Sequence, residues 1–250
     1  MVDAGFGYVQ ARLQARHAER LSEPDWAALG GRAALQAFIE RARETGLRRW
    51  LRGISAVAAV HQIEQQLRHE SVAGIERLAR WVPPRWREAV ECCAALVYLP
   101  LVQRLRAGGT REAWMNDEAS FALSGPGWRA RLAALADSGD PNARRFESWL
   151  AIWRSRWPPQ ERAARRRLDD VVARLGGEAR TLAALVDRKE LPARETWSRR
   201  RALSDEFARR FRADLLTPAA VFDALLLDAL EIERLRAELV SRALYPGEGR

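Results

Sequence analysis

The chain is built almost entirely from strong helix formers. Ala, Leu, Arg and Glu dominate the 250 residues, whereas Ile occurs six times and Thr five times. Such a composition disfavours strands, and no run of alternating apolar and polar residues appears. The sequence therefore predicts an all-α protein, one domain over 1–250 made of roughly ten helices, with 246–250 as a flexible tail.

Breaker residues punctuate the helices. Apolar positions Phe6, Val9 and Leu13, extended by His17, fall on one side of a first helix over 4–20. Ser22, Pro24 and Asp25 restart the chain with a cap, a proline suited to an opening turn and an acid that complements the positive helix end. Gly30 and Gly31 end that short helix. A helix through Leu35, Phe38 and Ile39 then reaches Gly46. A long one is expected from just after Ser55 to Trp81, with Val57, Val60, Ile63, Leu67, Val72, Ile75 and Leu78 facing inward, and Pro83–Pro84 stops it. The next is expected from Arg85 toward Arg106, kinked at Pro100. A looser region follows, with Trp114, Phe121 and a Gly-Pro-Gly at 125–127. Helices resume near Trp128, pause at Gly139–Pro141 and continue to Trp157. Gly176–Gly177 is expected to close the helix after Pro158–Pro159. Thr217 as cap and Pro218 as first helical residue open the last. The double prolines lie 75 residues apart, each behind a tryptophan, a spacing that suggests degenerate helical pseudo-repeats.

Several functions lack their usual signatures. The longest apolar stretch, 92–102, has 11 residues and contains Pro100, against about 20 for a bilayer helix. The N-terminus shows no secretory pattern, so a cytoplasmic location is expected. Cys92 and Cys93 are adjacent on a helix and point apart, which excludes an internal disulfide framework and favours burial. No phosphate-cradling loop, dinucleotide turn or nucleophile elbow occurs. The densest potential metal ligands, His61, Glu64, His69 and Glu70, lack the His-Glu-x-x-His order, so solvated polar positions are the simpler reading and a helical metalloenzyme an alternative.

Charge supplies a second signal. The net charge is +9, and Lys189 is the single lysine among 42 basic residues. Residues 154–167 hold six arginines, Arg162, Arg165 and Arg166 among them, against one acid, whereas 214–238 hold six acids against Arg234 and Arg236. This asymmetry suggests a charged partner surface centred on Arg162, Arg165 and Arg166. It also admits an arginine-rich nucleic-acid-binding or regulatory protein. Beside the cluster, Trp149, Trp153 and Trp157, with Phe146 and Ile152, form an aromatic ridge whose default role is helix packing.

The closing helix carries an apolar band through Val221, Phe222, Leu225, Leu226, Leu230, Ile232, Leu235, Leu239 and Val240. Within it, Glu231-Ile-Glu-Arg-Leu-Arg236 resembles the C-terminal Glu-x-x-Asn-Leu/Ile-Arg signature of one family, the d-type subunits of V-type ATPases and the C-type subunits of archaeal-type ATP synthases. Glu231 and Arg236 match, and Arg234 stands at the asparagine position. The opening Tyr8-Val-Gln-Ala-Arg-Leu13 is similar to that family's Tyr-x-x-Ala-Arg start, carried by Tyr8 and Arg12. Leu21-Ser-Glu-Pro-Asp-Trp26 is similar to the segment that follows it there. The resemblance implies a non-catalytic component of the central stalk, peripheral to the inner face of the membrane. Its implied partners are the membrane rotor ring and the soluble rotor shaft, during proton or sodium transport, with no cofactor. In that setting Glu231 and Arg236 are expected to make structural helix-to-helix ion pairs rather than a reactive site.

Overall fold

A computed structural model describes residues 4–31, 34–106, 110, 145–187 and 193–245. Every regular element among them is helical. The helices are α1 (Gly7–Ala18), α2 (Glu23–Gly30), α3 (Leu35–Arg43), α4 (Val60–Trp81), α5 (Pro84–Cys92), α6 (Ala94–Arg106), α7 (Arg145–Ser155), α8 (Arg162–Asp187), α9 (Ala193–Ala213) and α10 (Pro218–Leu244). Short 3₁₀ turns cover Ala4–Phe6 and Gly46–Arg49. The chain divides into two compact units, Met1–Ile63 with Pro159–Arg250, and Glu64–Pro158. The expected features at Trp114, Phe121, 125–127, Trp128 and 139–141, like the tail at 246–250, lie outside the described residues.

In the first unit, α10 is the spine. It packs against α9 most extensively, and against α1, α3 and α8. Its N-terminal turns, Ala219, Ala220, Val221 and Phe222, are buried, as are Leu227, Leu235 and Leu239. Phe6, Val9 and Leu13 of the opening segment, Phe38 and Ile39 of α3, and Phe207 and Phe211 of α9 are buried with them. The start of α2 follows its local code: the Ser22 hydroxyl accepts from the Asp25 amide and the Asp25 carboxylate accepts from the Ser22 amide. Hydrogen bonds from the Ser22 hydroxyl and amide hold the Asp25 carboxyl below its ordinary range. At Gly46 a Cβ would stand 2.1 Å from the Glu19 carbonyl oxygen. Only glycine permits the chain to pass that close to the end of α1.

In the second unit, Leu67, Val72, Ile75 and Leu78 of α4 are buried, as are Trp86 and Val90 of α5, Tyr98 and Leu99 of α6, and all three ridge tryptophans. The Trp149 and Trp153 rings stack 5.3 Å apart, and Trp157 meets Trp153 edge-on at 4.7 Å. Their indoles are put to use. Trp149 Nε1 donates to the Cys92 carbonyl at 2.9 Å, and Trp153 Nε1 donates to the Ala89 carbonyl at 3.0 Å.

Those two bonds explain one departure from the sequence reading. The single helix expected over 85–106 is interrupted at Cys93, between α5 and α6, while Pro100 rides inside α6. With the Ala89 carbonyl taken by an indole, the Cys93 amide turns to the Val90 carbonyl at 3.0 Å, and the α-helical ladder tightens and restarts. Two further expectations fail. Val57 is 90% exposed because α4 begins at Val60. Gly176–Gly177 does not end a helix, since α8 continues to Asp187. A glycine inside a helix costs only about 1 kcal/mol. Here the Arg174–Glu178 pair at 3.3 Å bridges the glycines across one turn, and Arg174 also bonds Glu206 of α9 at 2.9 Å. Both acids raise the Arg174 pKa, the Glu206 hydrogen bond contributing most. The two double prolines behave as read, separating α4 from α5 and α7 from α8.

Candidate functional site

Asp228 and Glu231 lie three residues apart on α10 and therefore share a face, in the middle of an otherwise apolar band. The Glu231 side chain is 3% exposed, and its carboxylate accepts from Arg49 Nη2 at 2.6 Å and from the Trp50 indole at 2.8 Å. Arg49 Nη2 is also 2.9 Å from Asp228, and its guanidinium covers the Trp50 ring at 4.6 Å. Arg20, just beyond α1, brings Nη1 to 3.5 Å from Asp228 and 3.8 Å from Glu231, and its Nη2 donates to the Leu227 carbonyl at 2.8 Å. Two guanidinium groups thus balance two carboxylates inside the first unit.

The electrostatics follow from burial. Desolvation raises the Asp228 pKa and Glu231 raises it further, while Arg49 and Arg20 pull it down. For Arg49, burial acts to lower the pKa, but Asp228 and Glu231 together hold it above its ordinary value. The quartet is neutral as a set, two guanidinium groups facing two carboxylates, while Arg49 Nε and Nη1 and Arg20 Nη1 are buried with no hydrogen-bond partner among the described residues.

A cleft of about 550 Å³ opens beside the quartet, between α2, α9 and α10. Glu23 of α2 pairs there with Arg201 at 3.1 Å and with Arg234, whose guanidinium also lies 4.6 Å over the Trp26 ring. Arg200 grips Glu233 through both ends of its fork and covers Trp197 at 5.4 Å. Arg234 therefore reaches α2, which a shorter asparagine at that position would not.

The structure sorts the sequence-derived residues clearly. Glu231 and Arg234 are brought to the opening segment, whereas Arg236 is exposed, and Glu231 takes its partners from Arg49, Arg20 and Trp50 instead. Tyr8 is 55% exposed, and Arg12 donates to its hydroxyl at 3.2 Å one turn away. Arg162 and Arg166 are exposed and Arg165 half-buried on the first turns of α8, with no ion pair among the described residues. The wider cluster splits. Arg154 and Arg156 belong to the second unit, where Arg156 meets Glu88 at 3.1 Å, and Arg167 pairs with Asp214 in the first. His61 and His69 are exposed, and Glu64 lies 3.9 Å from Arg68. No group of three or more His, Cys, Asp or Glu residues able to hold a metal occurs among the described residues.

Sequence reasoning missed Arg20, Arg49 and Trp50 as partners of Glu231. The available signal was the pair of acids three apart inside an apolar band, since buried carboxylates demand cations or donors from elsewhere. Protein-family models, curated proteins and solved structures yield no match to this chain.

Proposed function

We propose that this chain is a non-catalytic component of the central stalk of a V-type rotary ATPase or ATP synthase. In this reading it seats the end of the soluble rotor shaft on the membrane rotor ring, at the inner membrane face, during proton or sodium transport. One observation carries it: the two separate stretches that hold the family resemblance fold against each other. Glu23 and Trp26 of the second opening stretch meet Arg234 of the closing string, through an ion pair and a guanidinium over the indole ring.

A torque-bearing adaptor needs stiffness more than chemistry. Buried ion pairs with short, directional hydrogen bonds resist shear, because displacing either partner strands a charge in a low-dielectric setting. No helix among the described residues is long and apolar enough to cross a membrane, so membrane association is assigned to the assembled complex. ATP turnover is assigned to another chain, on the absence of a phosphate-binding loop.

The test is affinity purification from native membranes followed by mass spectrometry. The catalytic, shaft and ring proteins of a rotary ATPase should appear together at stoichiometric levels. Their absence, or ATP turnover by the pure chain that one point mutation in it abolishes, overturns the reading. The arginines at 162, 165 and 166, which have no ion-pair partner among the described residues, favour a second reading as a nucleic-acid-binding protein. Salt-dependent binding to generic DNA would support it.

A further inference from the structure

Asp223, on the second turn of α10, is an unsatisfied buried group of the first unit. It is wholly buried, and neither carboxylate oxygen has a hydrogen-bond partner among the described residues. The nearest cation is Arg210 of α9, whose Nε stands 3.7 Å from Oδ1, outside hydrogen-bonding distance. Arg210 Nε is itself buried and unpartnered. Its guanidinium lies 5.8 Å over Phe207, and its Nη2 donates to the Arg167 carbonyl at 3.4 Å, a long bond.

These residues border a strained connection. The turn at 214–217 between α9 and α10 holds Leu216 at φ 61°, a left-handed conformation costly for any residue but glycine. Three tethers keep it there. The Leu216 amide donates to buried Gln10 Oε1 at 3.1 Å, the Thr217 hydroxyl donates to the Asp214 carbonyl at 2.6 Å, and Asp214 pairs with Arg167.

We propose that Asp223, Arg210 and the 214–217 turn form a proton-operated latch that sets how tightly the α9–α10 connection is held. With its proton on, Asp223 is neutral, and Arg210 stays on the Arg167 carbonyl. When the proton leaves to solvent, the carboxylate draws Arg210 Nε across the 3.7 Å gap to an ordinary charge-assisted bond of about 2.8 Å. Pulling the guanidinium toward Asp223 stretches its already long 3.4 Å bond to the Arg167 carbonyl. Arg167 loosens with its partner Asp214, and the strained Leu216 relaxes.

The charges around the latch are few. Arg210 comes from α9 and Asp214 from the turn, with Arg167 of α8 acting through Asp214. From α1 the turn receives the neutral amide of Gln10, while Arg16, His17 and Arg20 face Ala224, Leu227 and Asp228 further along α10. From α3, Arg41 is engaged with the Leu29 carbonyl. Burial pushes the Asp223 carboxyl up to about 7, against the pull of Arg210 and with a further push from Asp214. The latch therefore operates near neutrality, and it does so in the isolated chain whatever complex that chain joins.

The experiment is amide hydrogen exchange by NMR on the full chain from pH 5.5 to 8.5, corrected for intrinsic exchange, with the Asp223 carboxyl carbon followed in the same samples. The Leu216 and Thr217 amides should exchange about tenfold faster at the upper end, with a midpoint matching the carboxyl titration. In Asp223→Asn and in Arg210→Met their protection should not vary with pH. Constant corrected protection in the wild-type chain overturns the proposal, as does a wild-type pH dependence that persists in Asp223→Asn. Should either variant fail to fold, the wild-type titration and exchange midpoints decide alone: separate midpoints, or a carboxyl that never titrates in this range, refute it.

Discussion

Replacing Glu231 by glutamine tests whether the buried quartet holds the first unit together. The substitution preserves shape and leaves the amide oxygen able to accept from the Trp50 indole now 2.8 Å away. It removes the charge answering Arg49, whose bond to Glu231 is 2.6 Å long in a site where the side chain is 3% exposed. Breaking a buried pair costs about 3 to 5 kcal/mol. Asp228 remains 2.9 Å from Arg49 and 3.5 Å from Arg20, so it retains part of the compensation. The loss should therefore fall near the lower bound, about 3 kcal/mol. For a chain of this size that corresponds to a fall in Tm of about 6 to 12 °C. Urea unfolding followed by circular dichroism measures it, with Arg162→Gln as an exposed reference expected to stay within about 0.5 kcal/mol. A Glu231→Gln loss no larger than that of the reference would refute this reasoning. So would a Trp50→Phe, Glu231→Gln double variant showing no coupling between the two sites.

Three other perturbations follow from the same contacts. The Asp223 carboxyl is raised from 3.8 to about 7 in the folded chain, so the folded state holds a proton that the unfolded chain has released. Its stabilising contribution is complete below about pH 4 and is lost as pH rises through 7. From pH 5 to 8 that loss is about 2 to 3 kcal/mol, seen as a steeper fall in stability for wild type than for Asp223→Asn. Parallel curves would contradict it. Gly46→Ala forces a Cβ to 2.1 Å from the Glu19 carbonyl oxygen. The backbone must shift, at a cost of about 1 to 3 kcal/mol by chemical denaturation, and a variant as stable as wild type would show the approach to be slack. Reversing Arg162, Arg165 and Arg166 to glutamate should leave the fold intact and weaken recovery of the native complex most strongly at low salt. Recovery unchanged across a salt series would leave these arginines as solvated surface.

Much of the helical framework was legible because it depends on residues a few positions apart. The Ser22–Asp25 capping box, the stop at Pro83–Pro84 and the restart at Thr217–Pro218 are all local signals, and each marks an observed helix boundary. Even so, locality misled in detail. The Thr217 hydroxyl looks like a cap but donates backward to Asp214. Gly176–Gly177 looks like a terminus, yet packing and the Arg174 ion pairs carry α8 through it. The ridge of tryptophans was visible as a pattern. That two of its indoles would take carbonyls from α5, and so split one helix into two, was not.

The sequence by itself determined that this chain is helical, where most helices start and stop, and that α10 carries two acids on one face of an apolar band. Those outcomes rest on backbone propensity and on interactions within about one helical turn. Only the tertiary structure decided what answers the acids. Glu231 finds Arg49 and Trp50 across separations of 182 and 181 residues, and Asp223 finds a guanidinium it does not quite touch. A buried charge dictates that some partner be present. Which of 42 basic residues supplies it depends on the path of the whole chain, and no local pattern encodes that path.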